Sequence, residues 1–177
     1  MQDSRAILHT IVQGSTVDLF HTHGIAVAPV SQIARAGSSL DPAGMNELMA
    51  AIGFTGRGCT GTLILCVPDD VFALLKQDPN RPYTGRDWIR EASNQLLGRI
   101  KNRLTQFQIT IQSGLPSTPG REAVERLRAR SALFLSYSFR TLRGRVSVVL
   151  GGDIDPTMFV YSGASAGSPS EGDIILF

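Results

Sequence analysis

Glu91 and Asn94 stand three residues apart in the run Asp87-Trp88-Ile89-Arg90-Glu91-Ala92-Ser93-Asn94-Gln95-Leu96-Leu97-Gly98, a spacing that puts a carboxylate and a carboxamide one helical turn apart on one face. A neutral carboxamide both donates and accepts hydrogen bonds, so Asn94 suits the task of holding a water in line with a phosphoryl group without repelling its oxygens. A carboxylate is poorly suited to approach a phosphate and well suited to pair with an ammonium group, which is the chemistry open to Glu91. Gly98 lies one turn beyond Asn94, where a missing side chain lets another backbone come close, against a cost of about 1 kcal/mol for glycine inside a helix. Arg90 and Lys101 flank the same face, and Asp87 reads as a helix N-terminal acid. The plain alternative is that Glu91 and Asn94 are the solvated side of an amphipathic helix.

The element that must position these residues is a helix from Thr84, its N-cap, to about Leu104, with Asp87 in a capping-box-like position. Ile89, Ala92, Leu96, Ile100 and Leu104 form its core stripe, and Asp87, Glu91, Asn94 and Gly98 fall opposite. Trp88, at the edge of the stripe, is expected as half-buried packing or as the rim of a docking surface. Before the helix, Leu48 to Pro68 reads as a β-hairpin with its corner at Gly56-Arg57-Gly58, followed by a short helix containing Val71, Phe72, Leu74 and Leu75 that Asp78-Pro79 stops. The linker Asn80-Arg81-Pro82-Tyr83 leads into the long helix.

After the helix, Phe107 to Gln112 alternates as a half-buried strand that Ser113-Gly114-Leu115-Pro116 breaks. Arg121 to Arg130 is either a short helix with Val124 and Leu127 inward or an Arg-rich loop, and Leu133–Phe139 with Arg145–Leu150 forms a second hairpin about Leu142-Arg143-Gly144. At the start of the chain, residues 1–20 read as an amphipathic helix carrying Ile7, Leu8, Ile11 and Val12 and broken near Gly14, and His21 to Ala36 suggests a strand and turn. The tail 151–177 is expected to be partly mobile unless Ile174-Ile175-Leu176-Phe177 packs on a sheet edge or a second copy. The expected fold is one α+β domain over residues 1–177, a mostly antiparallel sheet with helices packed on it.

Composition narrows the function. The chain has 177 residues, 42% of them hydrophobic and 18% charged, enough for one substantial core. With 17 Lys+Arg against 15 Asp+Glu the net charge is +2, which excludes a strong nucleic-acid reader. No apolar run approaches the roughly 18 residues of a membrane span, and the N-terminus lacks the pattern of a signal peptide, so no membrane and a cytoplasmic location are expected. Cys59 and Cys66, an odd separation within a strand, point to opposite sheet faces and read as buried free thiols. His21-Thr22-His23 with His9 lacks the rest of a metal-ligand set and is expected on a surface loop or edge strand, so no metal site is expected. The glycines from Gly53 to Gly61 do not make a phosphate-binding loop, and Glu122 and Glu125 blunt the basic run Arg126-Leu127-Arg128-Ala129-Arg130.

Read as Asp-x3-Glu-x2-Asn-x3-Gly, with Pro116 after 21 intervening residues, the helix resembles the signature helix of the CheC/CheX/FliY phosphatases of bacterial chemotaxis. Its single copy is closer to CheX than to the two-site CheC. In the family pattern the proline follows at a spacing of roughly twenty-two, so Pro116 arrives about one residue early, a slip that lies after the helix. A looser resemblance in the order of elements extends from Leu48 to Leu150. The resemblance implies hydrolysis of the aspartyl-phosphate on a CheY-like receiver domain, with Asn94 orienting the water and Glu91 anchoring the receiver's Lys. It implies partner contacts at Asp87, Arg90, Gly98 and Lys101, a Mg²⁺ that belongs to the receiver, no cofactor of the chain's own, and a homodimer built through sheet edges. Two other functions compete with it, a non-catalytic receiver-docking module of the same fold and a plain oligomerisation or scaffold domain.

Overall fold

In the computed structural model, which describes residues 4–30, 47–75, 84–120, 122–155, 157 and 159, a six-stranded antiparallel sheet carries helices on both faces. Two long hairpins make its centre. Strands β2 (Glu47–Gly56) and β3 (Cys59–Pro68) turn at Arg57-Gly58, and β5 (Leu133–Thr141) and β6 (Gly144–Ile154) turn at Leu142-Arg143. Gly58 has φ of 66°, a left-handed conformation that a side chain disfavours and the tight turn requires. Pairing of β3 with β6 joins the hairpins, and the short strands β1 (Ala28–Pro29) and β4 (Ile111–Ser113) close the edges in the order β1-β5-β6-β3-β2-β4.

Alternation along the central strands sorts two faces. Leu63, Leu65, Val67, Val146, Val148 and Leu150 meet the main core, whereas Ile64, Cys66 and Val149 face the other side, where Val124 of α4 (Ala123–Arg130) packs. Cys59 lies on the first face and Cys66 on the second, both buried and free, as the odd separation requires. Helix α2 (Asp69–Phe72) follows β3 directly and buries Val71.

The main core is closed by α1 (Ser4–Thr22) and α3 (Gly85–Leu104). Every predicted stripe residue of α3, Ile89, Ala92, Leu96, Ile100 and Leu104, is buried, and so are Trp88, Ser93 and Leu97 on its flanks. Trp88 is thus a core residue, only 4% exposed, packed against the rings of Phe20, His23 and Phe72. Helix α1 lies along α3, tied by an Arg103–Asp18 ion pair and by Arg99 Nη2, which donates to Thr22 Oγ1 at 3.0 Å.

Four expectations are corrected. Gly14 does not break α1: the Arg103 guanidinium lies where a Cβ at Gly14 would stand, so this glycine makes room between two packed helices. Phe107 to Gln112 is not a continuous strand. The chain leaves α3 through a 3₁₀ turn at Thr105–Phe107 and a left-handed Gln108 (φ 57°), and joins the sheet only at Ile111. Its alternation is real, since Ile109 and Ile111 are buried, but a reversal after the helix uses up the residues a longer ladder needs. Of the histidines, His9 and His21 lie in α1 and not on a loop or edge strand, whereas His23 is in the turn that follows, half-buried against Trp88. Gly151 to Ile154, assigned to the tail, belong to β6. The Asp78-Pro79 stop, the 80–83 linker and the apolar end at 174–177 lie outside the described residues.

Candidate functional site

The polar face of α3 begins at its cap. Thr84 Oγ1 accepts from the Asp87 backbone N–H at 3.1 Å, and its hydroxyl donates to Asp87 Oδ2 at 2.5 Å. This reciprocal arrangement satisfies an otherwise orphaned N–H and fixes the first turn. With one face of the helix held in the core, the same rotation sets Asp87, Glu91 and Asn94 outward, all three exposed, and Gly98 beyond them with nothing within 4 Å of where its Cβ would stand.

A shallow open cleft runs along this face, lined by Asp87, Arg90, Glu91, Asn94, Leu115 and Pro116. Its far wall is the loop that follows β4. The Gly114 N–H donates to Gly53 O at 2.8 Å, Ser117 and Ala51 exchange backbone hydrogen bonds at 2.8 and 2.9 Å, and Arg90 Nη2 donates to Pro116 O at 3.2 Å. Held at both ends on β2 and in the middle by Arg90, the Leu115-Pro116 pair bulges beside the helix. Although Pro116 comes about one residue early for the family pattern, it lines the cleft together with Glu91 and Asn94. Lys101 and Gly98 sit farther along α3 and do not line it.

Behind the exposed pair stands a second row. Gln95 Nε2 donates to Glu91 Oε1 at 3.0 Å, and the Gln95 side chain lies near the half-buried His23 ring. Burial pulls the His23 pKa below its ordinary 6.5, opposed by the Gln95 contact and by the nearby Glu91 charge and reinforced by Arg99. At neutral pH the imidazole is therefore neutral. Neither cysteine offers an alternative chemistry: burial raises the Cys59 thiol and pushes Cys66 up to about 12, so both stay protonated and unreactive. Among the described residues no three His, Cys, Asp or Glu side chains are grouped so as to hold a metal ion, and no helix is long and apolar enough to cross a membrane.

The spacing in the sequence led to Glu91, Asn94, Asp87 and Arg90, which the structure gathers at one cleft. It passed over Leu115 and Gln95, and weighed His23 only as a metal ligand. The signal for Leu115 was present in the sequence, a large apolar residue inside a loop-forming Ser-Gly-Leu-Pro run. Gln95 stands one turn from Glu91 in the sense that favours side-chain pairing. His23 carried no signal, because its contacts come from α3.

An outward carboxylate and carboxamide on a long capped helix that packs on an antiparallel sheet place the chain among α+β proteins of sheet-and-helix architecture. More particularly, the fold is the CheX-like one. The chain is similar to the chemotaxis protein CheX from Vibrio vulnificus, with a TM-score of 0.60 at 14% identity over 81% of this chain and 95% of that one. It is similar to CheX from Desulfovibrio desulfuricans, with a TM-score of 0.55 at 16% identity over 81% and 97%. It is also similar to a chain of the CheX–CheY–BeF3–Mg²⁺ complex from Borrelia burgdorferi, with a TM-score of 0.54 at 12% identity over 84% and 97%. By sequence, no model of a known protein family and no curated protein matches the chain.

Proposed function

We propose that the chain hydrolyses the aspartyl-phosphate of a CheY-like receiver domain and so shortens the lifetime of a two-component signal. The observation that carries this reading is the exposed Glu91 and Asn94 pair on the outward face of α3, in a fold that a CheY-bound CheX shares. Asn94 enters the receiver's phosphorylation site and holds a water opposite the bond between phosphorus and the aspartyl oxygen. The water oxygen bonds to phosphorus, that P–O bond breaks, and the products are inorganic phosphate and the receiver's free carboxylate. The carboxamide contributes position and no charge. Glu91 pairs with the receiver's Lys and sets the register of insertion. The metal in the reaction is the receiver's Mg²⁺, and the chain brings no cofactor. Edge strands β1 and β4 leave room for a homodimer through sheet edges, which belongs to the same reading.

The test is phosphate release from a panel of Mg²⁺-loaded, phosphorylated single-domain receivers. Wild type is expected to accelerate release from its cognate receiver. Asn94→Ala is expected to lose the acceleration by about a hundredfold or more while still binding, and Glu91→Ala to bind more weakly. Binding without acceleration by wild type would make the chain a docking module, and neither activity nor binding across the panel would leave a scaffold domain.

A further inference from the structure

Two large hydrophobic side chains among the described residues stand almost wholly in water, Leu115 at 91% and Leu142 at 88% exposure. Leu142 tips the two-residue turn between β5 and β6, where exposure comes with the geometry. Leu115 is different in two respects. It lines the cleft that holds Glu91 and Asn94, and it is displayed by a loop that is tied down: Gly114 to Gly53, Ser117 to Ala51 in both directions, and Pro116 O to the guanidinium of Arg90. An apolar side chain held in water by four hydrogen bonds to its neighbours' backbone has its ordering cost met before a partner arrives, which is the condition under which a single buried residue adds most to affinity.

We infer that Leu115 is the apolar anchor of the docking surface and inserts into an apolar depression on the receiver domain beside its phosphorylation site, with Arg90 as the positioning residue that holds it there through the Pro116 carbonyl. The inference rests on the proposed function for the identity of the partner. Glu91 and Asn94 are hydrated polar groups whose contacts with a charged site exchange one set of hydrogen bonds for another, and net affinity from such exchanges is small. Leu115 supplies area that leaves water on docking. Arg90 spends an N–H on the loop, so its contribution runs through Leu115.

The experiment measures binding of the full chain to receivers that carry beryllofluoride and Mg²⁺ in place of the phosphoryl group, and steady-state phosphate release from the same receivers in phosphorylated form. Leu115→Ala is expected to weaken binding and raise KM by about ten- to a hundredfold, the range for withdrawing a buried leucine side chain, and Leu115→Asp by more, with kcat within about twofold of wild type because the contact is the same in ground and transition states. Arg90→Met weakens binding less, and in combination with Leu115→Ala adds nothing further, since both act through one contact. Leu115 is exposed, so its variants should melt with wild type; Arg90 is half-buried, so the melting temperature of Arg90→Met is measured alongside its binding. An unchanged KM in Leu115→Asp, with Asn94-dependent release intact, overturns this inference and leaves the proposed function standing. Additive effects in the double variant overturn the positioning role of Arg90. Failure of wild type to bind any receiver overturns the proposed function, and this inference with it.

Discussion

Gln95 Nε2 donates to Glu91 Oε1 at 3.0 Å, one turn along α3, so the exposed carboxylate is restrained from behind by a side chain that lies near the half-buried His23 ring. A free glutamate at this place would sample several rotamers and lose them on docking.

Replacing Gln95 by Leu is therefore expected to weaken receiver binding severalfold and leave kcat nearly unchanged, because Asn94 keeps its place. Gln95→Glu should be worse, since it sets like charges at i and i+4 and turns Glu91 away. Titration of each variant against a beryllofluoride-loaded receiver measures this. Equal affinity for wild type and Gln95→Leu would mean that Glu91 needs no support.

Gly98 weakens α3 without relieving any contact among the described residues, none of which stands within 4 Å of its missing Cβ. Gly98→Ala should stabilise the protein by up to about 1 kcal/mol, read as a higher denaturant midpoint at unchanged slope. Gly98→Leu should keep most of that gain and lose receiver affinity, because the added side chain fills the space a partner backbone occupies. A leucine variant that is both more stable and fully able to bind would show that the partner makes no use of the glycine.

The helix that carries the site was legible because its signals are local. Thr84 and Asp87 declare the cap, and the buried stripe from Ile89 to Leu104 leaves one rotation for the polar face. Both hairpins were legible for the same reason, with strands of alternating residues on either side of short turns. What escaped depends on distant chain. Whether Gly14 breaks α1 is decided by Arg103, 89 positions later; the half-burial of His23 is decided by Trp88 and Gln95; and the display of Leu115 is decided by Arg90 and by the edge of β2. Periodicity reports which residues avoid water and is silent on which loop a guanidinium will hold.

Thr84 both accepts from the Asp87 N–H and donates to the Asp87 carboxylate, and it begins the turn on which Asp87 and Arg90 stand. Thr84→Ala should cost about 1 kcal/mol of stability, and Thr84→Ser should recover most of it. Hydrogen exchange should localise the loss to the amides of the first turn, with those from Leu96 to Ile100 unaffected. A uniform loss of protection along α3 would mean that the cap supports the whole helix and not its first turn.

His23 gives the protein a pH dependence of known sign. Its folded pKa lies below the ordinary 6.5, with burial the largest cause, so below 6.5 the unfolded chain takes up a proton that the folded chain refuses. The contribution of neutral His23 is complete above about pH 6.5 and is lost as pH falls from there through the folded pKa. His23→Phe keeps a ring against Trp88 and removes the titration. Wild type is accordingly expected to lose more stability than His23→Phe between pH 7.5 and about pH 5, as measured by denaturant unfolding of both proteins at each pH. Carboxylates that titrate lower in the range contribute equally to the two and cancel in the difference. Parallel stability profiles for the two proteins would show that the imidazole ionises in the folded protein as it does in water. In that event the ring behind Gln95 carries charge in the pH range where wild type was expected to keep it neutral, and the support of Glu91 would itself vary with pH.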